Sequence, residues 1–165
     1  MIRDSKAENS LSTQNVDIFF EAYNRVLKII PDYWLIYALK ATVFLSLIEI
    51  VRYDDELLTT LDTLFQLQDS SERKEAYFIF PYICYAGYIY FVKQDRKKVL
   101  EILTNAEKSV PEATIQFPVL SRYLFAPFKE FMKHLKNVKD PEIEGKVRQL
   151  AKTYFSGEKA LKSTN

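Results

Sequence analysis

The chain has 165 residues, 48% hydrophobic and 27% charged, with a formal net charge of +1; this balance suits one soluble domain with a sizeable core and argues against a disordered tail protein. Glycine is limited to Gly87, Gly145 and Gly157, which excludes phosphate-cradling loops of the G-x-G-x-x-G or G-x-x-x-x-G-K-[ST] type, because those turns need backbone conformations that glycine alone adopts freely. A single Cys84 and a single His134 exclude an intrachain disulfide framework and a zinc site built from several Cys or His ligands.

Residues 1–12 are polar and read as a flexible N-terminal tail, as do 156–165 at the other end, with a single helical domain over 13–155 between them. Val16, Phe19, Phe20, Tyr23, Val26, Leu27 and Ile30 recur at helical spacing. They predict an amphipathic helix capped near Ser12 or Thr13 and stopped before Pro31. A second helix, from Asp32 to about Ile50, is apolar on nearly every face and is expected to be central. The third starts at an Asp54–Asp55 cap and presents Leu57, Leu58, Leu61, Leu64 and Phe65 on one side, its acidic first turn complementing the helix dipole.

A fourth helix is expected from Ser70–Ser71 through a tyrosine-rich run, with Pro81 either kinking it or marking a second start. The fifth runs from Asp95 to about Val110, and two short helices, interrupted by Pro118 and Pro127, are expected between Pro111 and Lys136. The last, Asp140 to Phe155, carries Ile143, Val147, Leu150, Ala151 and Tyr154 on one stripe and is expected to cover an apolar end or to fill a groove. No run alternates with period two between turns, so the fold class is all-α with about seven helices. Met1–Lys6 has no apolar leader region, which makes the cytoplasm the expected location. The 17 uncharged residues from Ala76 to Val92 fall short of the roughly 20 that a spanning helix needs, so no membrane span is expected.

Two segments superimpose without gaps: Pro31, Tyr37, Ala41 and Phe44 match Pro111, Phe117, Ser121 and Leu124 at identical offsets. The segment from Phe80 to Ala113 follows the same scheme, with Ile83, Gly87 and Tyr90 on its first helix, Val99, Leu103 and Ala106 on its second, and then Pro111. In these positions the chain resembles the tetratricopeptide repeat (TPR) family, whose unit is a helix-turn-helix of roughly 34 residues. The resemblance covers about residues 13–125 and implies a TPR-like right-handed stack of antiparallel helix pairs. The unit from Trp34 to Asp69 needs about four extra residues, and the link to the next about eight, which would lengthen the fourth helix at its start. A generic helical bundle whose prolines coincide with helix ends is the simpler alternative.

The resemblance assigns repeat packing to Tyr37, Ala41, Phe44, Gly87, Tyr90, Ala106, Pro111 and Ser121, with Gly87 at the contact of the fourth and fifth helices. It also implies a concave surface lined by first helices: Leu35, Ala38, Thr42 and Leu45, then Cys84, Tyr88 and Phe91, then Ile115, Arg122 and Phe125. The Lys and Asn side chains with which chaperone-binding members clamp a carboxylate are missing there, and Arg122 alone could hold one. An aromatic groove favours a hydrophobic peptide or partner helix over a charged tail. The expected function is therefore a noncatalytic protein–protein interaction module, adaptor or chaperone-like. The alternative is a helical protein that holds a small apolar ligand or acyl chain in its aromatic core.

No enzyme chemistry, cofactor or metal is expected. Cys84 has no basic neighbour nearer than Lys74 or Lys93 and reads as a core cysteine. His134, among Lys133, Lys136 and Lys139, reads as a solvated surface histidine, and no nucleophile elbow of the G-x-S-x-G type occurs. Charge is uneven: residues 14–75 carry six Lys/Arg against eleven Asp/Glu, while 129–165 carry nine against five. Solvated helix faces account for this, or head-to-tail association into a homo-oligomer, or an acidic partner on the C-terminal helices. A dense basic block with base-reading residues is lacking, so no nucleic-acid partner is expected.

Overall fold

The computed structural model describes residues 13–47, 53–113, 115, 128, 129 and 131–155, and among these every regular element is helical and no strand occurs. Seven helices lie within them: α1 (Thr13–Ile29), α2 (Trp34–Leu47), α3 (Asp54–Ser70), α4 (Ile79–Tyr88), α5 (Arg96–Ser109), α6 (131–138) and α7 (Pro141–Tyr154). The expected tails, the stretch 116–127 with Pro118 and Pro127, and with it the positions of Phe117, Ser121, Arg122, Leu124 and Phe125, lie outside the described residues; of the two short helices expected between Pro111 and Lys136, residues 111–113 and 115 are not helical, and the second corresponds to α6, which runs on to 138. No helix among the described residues is long and apolar enough to cross a membrane.

Helix α1 ends before Pro31, as its periodicity requires, and seats Phe20 on Phe44 of α2 with ring centroids 4.5 Å apart. The chain then turns through Pro31–Asp32, closed by the Tyr33 N–H donating to the Ile30 carbonyl at 3.3 Å, so α2 begins at Trp34 rather than at Asp32. In α3 the capping position is Tyr53, one residue before the expected Asp54–Asp55 cap; Asp54, Asp55 and Glu56 instead fill the first turn, where carboxylates meet the positive end of the dipole. Leu57, Leu61 and Leu64 are fully buried at helical spacing on the side packed against α2 and α4, each contributing about 1.5–3 kcal/mol by its burial.

The fourth helix differs from expectation at its start. Ser71 is extended, residues 71–75 are non-helical, and a 3₁₀ turn over Ala76–Phe78 leads into α4. Pro81 explains the late start, because as the third residue of α4 it occupies a turn whose N–H groups have no intrahelical partner. A helix begun at Ser70 or Ser71 would have placed Pro81 in its interior.

Centrality also shifts from α2 to α4. In α2 the side chains of Ala38, Ala41 and Phe44 are buried while Leu35, Ile36, Leu39 and Val43 are half-buried. By contrast, eight of the ten α4 residues are buried, and the helix packs on α2, α3 and α5. Beyond Tyr88 the ladder widens into a π turn over Ile89–Lys93, closed by Gln94 in the left-handed region at φ 55°.

Two aspartates start the next well-defined helices. Asp95 caps α5, accepting from the Lys98 N–H at 2.9 Å, and Asp140 caps α7, accepting from the Ile143 N–H at 3.3 Å with Pro141 following it. Ile143, Val147, Leu150, Ala151 and Tyr154 are buried, and α7 packs on α5. The Tyr154 hydroxyl donates to the Val110 carbonyl at 3.1 Å, and the Ile115 N–H donates to the Tyr154 carbonyl at 2.8 Å. The last helix therefore covers α5 and ties down the chain that leaves it.

Candidate functional site

Position by position, the residues assigned to a groove separate into three groups. Leu35, Thr42, Leu45 and Phe91 are half-buried and accessible from one side. Ala38, Cys84 and Tyr88 are at most 1% exposed and Ile115 7%, so these four do not line an open surface. Arg122 and Phe125 lie outside the described residues. Tyr88 shows why the face was misassigned: its hydroxyl donates to Oδ2 of Asp54 at 3.0 Å, so it points to the first turn of α3. Burial and the bond from its hydroxyl to Asp54 both push the Tyr88 phenol up. Burial pushes the Cys84 thiol far up as well, leaving no thiolate for chemistry near neutral pH.

The packing residues behave differently again. Ala41, Phe44, Gly87 and Ala106 are buried, Tyr37 donates to the Pro31 carbonyl at 3.1 Å, and Pro111 is exposed where α5 has ended. Gly87 does not face α5, as expected from the repeat. A Cβ there would lie 3.8 Å from Leu45 Cδ2 of α2 and 3.6 Å from Phe91 Cε2, so the small residue separates two first helices instead. Tyr90, assigned to packing, is half-buried and opens onto a cleft.

That cleft, of about 350 Å³, lies where the π turn, the start of α5, the end of α6 and the α6–α7 junction meet. Tyr90, Phe91, Gln94, Arg96, His134, Val138 and Asp140 line it. Its size falls at the low end of small-ligand pockets, which run roughly 300–1,000 Å³. The imidazole of His134 stands edge-on to Phe91, with centroids 4.5 Å apart at 87°, and edge-on to Tyr90 at 5.8 Å. Phe131 backs both rings at 5.6 and 5.5 Å. His134 is thus half-buried against aromatic rings and not fully solvated as expected. It sits at the edge of the stripe formed by Phe131, Leu135 and Val138, one helical position from burial.

The polar side of the cleft is an ion-pair cluster. Arg96 Nε donates to Asp140 Oδ2 at 2.9 Å, and its Nη2 donates both to Asp140 Oδ1 at 3.3 Å and to Glu142. These bonds raise the guanidinium pKa, and Arg96 with the capping Ile143 N–H holds the Asp140 carboxyl below the usual carboxylate range. Burial pushes the Tyr90 phenol up, and the Asp140 charge adds to the effect. Arg96 is thereby clamped, so it braces the mouth of the cleft and joins the starts of α5 and α7.

Sequence reasoning missed Gln94, Arg96, Val138 and Asp140 as one site because they converge across 44 residues of chain. The local signals present were the Asp95 and Asp140 caps, which placed two helix starts without placing them together. Among the described residues no group of three His, Cys, Asp or Glu side chains is arranged to hold a metal ion. No family model matches the chain, and searches of curated proteins and of solved structures find no match to it.

Proposed function

We propose that the chain is a TPR-like stack working in the cytoplasm as a noncatalytic interaction module, and that it takes an apolar side chain of a partner peptide into the Tyr90–Phe91 cleft. Helix neighbours support the stack: α2 packs on α3 and α4, and α4 packs on α3 and α5. Each first helix therefore meets its own partner and the next first helix, the adjacency that stacked repeats require. The observation that carries the binding reading is the cleft itself, with two half-buried aromatic rings, Val138 49% exposed at its rim and a braced cation beside it. Leu45 and Phe91, which meet across Gly87, continue the apolar track from α2 into the cleft.

The test is selection of peptides from a displayed random library on the wild-type domain and on Val138→Glu. The substituted side chain lies on an exposed position, so the helical circular dichroism should be retained. Selected peptides should be rich in aromatic or branched apolar residues, bind the variant at least tenfold more weakly, and shift the NMR resonances of Tyr90, Phe91 and His134. Peptides that bind both proteins equally, or that leave those resonances unmoved, would refute the reading. Displacement of the selected peptides by a free fatty acid that binds more tightly than they do would favour the apolar-ligand alternative.

A further inference from the structure

Helix α1 carries two apolar faces. Val16 and Phe20 lie on the one packed against α2, with Phe20 seated on Phe44. The other runs through Ile18, Phe19, Ala22, Val26, Ile29 and Ile30, whose steps of three and four make a continuous stripe along the helix. Ile18 is 59% and Ile29 81% exposed, and Phe19, Ile30 and, beyond the helix, Tyr33 are exposed as well. Val138 is the one other exposed large hydrophobic side chain among the described residues, so the uncovered apolar surface is concentrated here. These five side chains leave uncovered the equivalent of nearly three whole ones, on the order of 500 Å² per copy. That is more than half of the roughly 800 Å² per partner in a standard interface, before any polar border is counted. The end element of a helical stack stays soluble by turning a polar face outward; α1, packed chiefly on α2, turns an apolar one.

One edge of the stripe is charged, and its charges are ordered along the helix. Asp17 and Glu21 stand toward the start of α1 and Arg25 and Lys28 toward its end, all exposed, while Phe19 and Ile30 form the opposite, apolar edge. Glu21 accepts from Arg25 at 2.8 Å, but both side chains are exposed, and a pair of this kind is weak enough to be shared with a second helix. Lys40 reaches Asn24 from α2, on the side of α1 turned away from the stripe. From this arrangement we infer that α1 pairs with α1 of a second copy, antiparallel about a two-fold axis. Such a rotation reverses the helix direction but keeps like edges together, so each surface meets itself. With Ile18 set against Ile29 of the second copy, Asp17 and Glu21 lie within one turn of that copy's Lys28 and Arg25, and Phe19 lies beside its Ile30. Asp32, beyond the helix, falls level with Asn15 and outside these pairs. A parallel pairing would instead set each charged edge against an apolar one. With two acids and two bases, the edge also lacks the Lys/Arg excess of helices that lie on membranes, which favours a protein partner.

The experiment is sedimentation equilibrium of the full chain over protein concentrations on the order of 1–500 µM, the range for a contact at or below the standard interface size. The wild type should pass from the mass of one chain to twice that mass and stop there, because a two-fold contact closes on itself. Ile18→Ser combined with Ile29→Ser, both at exposed positions, should weaken dimerisation by about tenfold or more with helical circular dichroism unchanged. Under mild oxidation, Ile18→Cys mixed with Ile29→Cys should cross-link into dimers, whereas Ile18→Cys alone should not; the native Cys84 is buried and takes no part. A wild type that stays monomeric, that grows beyond a dimer, or that dimerises no more tightly than the double Ser variant overturns the inference. So does Ile18→Cys that cross-links to itself as readily as to Ile29→Cys. A monomer that floats with phosphatidylcholine vesicles would overturn it in favour of a membrane surface. These outcomes leave the cleft reading untouched, since no cleft residue lies on α1, and the peptide test with Val138→Glu stands or fails separately.

Discussion

Substitutions at Gly87 have opposite expected signs according to size, and the sign is set by the space between α2 and α4. A Cβ at this position would lie 3.6 and 4.0 Å from Phe91 ring carbons and 3.8 Å from Leu45 Cδ2, all ordinary van der Waals separations. Gly87→Ala therefore adds contact without displacement, and replacing glycine within a helix gains about 0.8–1.0 kcal/mol of propensity. The full gain is reduced because a π turn begins two residues later. A stabilisation of about 0.5 kcal/mol, or a rise in Tm of about 1–2 °C for a chain of this size, is expected. Gly87→Leu pushes three further carbons into the same space and should cost about 1–3 kcal/mol. Gly145→Ala calibrates the pair, since its Cβ would meet nothing within 4 Å and reports propensity alone. Urea denaturation followed by circular dichroism reads all three. If the Leu variant is as stable as the Ala variant, α2 and α4 do not approach at Gly87 and the stack described above is wrong at its centre.

Three further outcomes follow from buried or bonded groups. Tyr88→Phe leaves the ring in place but removes the bond to Asp54, and should cost about 1.5–3 kcal/mol in urea denaturation, as for a hydrogen bond to a charged group; an unchanged midpoint would show that bond to be unimportant. Cys84 should resist Ellman's reagent in the native protein and react at the rate of unfolding, because its thiol is buried and its pKa raised; rapid labelling without denaturant would contradict its placement. Asp140→Asn keeps a capping side chain but loses the ion pair to Arg96. Since the native carboxyl is held below its unfolded value of roughly 3.9, its contribution is present above that pH and is lost as pH falls through the lower native value. The variant should therefore be less stable than wild type at neutral pH and converge with it in acid, and parallel stability curves down to the acid transition would refute the assignment.

How much of this was legible in the sequence depended on whether the signal was local. Helices α5 and α7 declared themselves through an aspartate at the capping position followed by an amphipathic stripe, and both start where those aspartates indicate. The α7 stripe is buried on α5, and so needed no information beyond its own periodicity to be recognised as a packing face. Composition was a weaker guide to depth. Helix α2 is as apolar as α4, yet seven of its ten described apolar side chains remain partly exposed because α4 occupies the position between α2, α3 and α5. Which of two equally apolar helices is central depends on packing order, and residue type alone does not carry it.

The misassigned faces have a more specific cause. Stepping by three and four from Ile83 through Gly87 to Tyr90 assumes one continuous α-helical phase, but the ladder changes to i→i+5 spacing at Ile89. A π turn holds more residues per revolution, so side chains beyond it are rotated relative to the extrapolated stripe. Tyr88 precedes the change, so its burial toward Asp54 follows from the packing of α4 between its neighbours, while Tyr90, within the π turn, is turned toward His134 and the cleft. The same turn, closed by Gln94 at positive φ, directs the chain into Asp95 and Arg96, which brings Arg96 to Asp140. A regular α-helix continued through these five residues would restore the extrapolated stripe and remove the wall of the cleft; the irregularity that defeats the periodic reading is therefore what creates the candidate site.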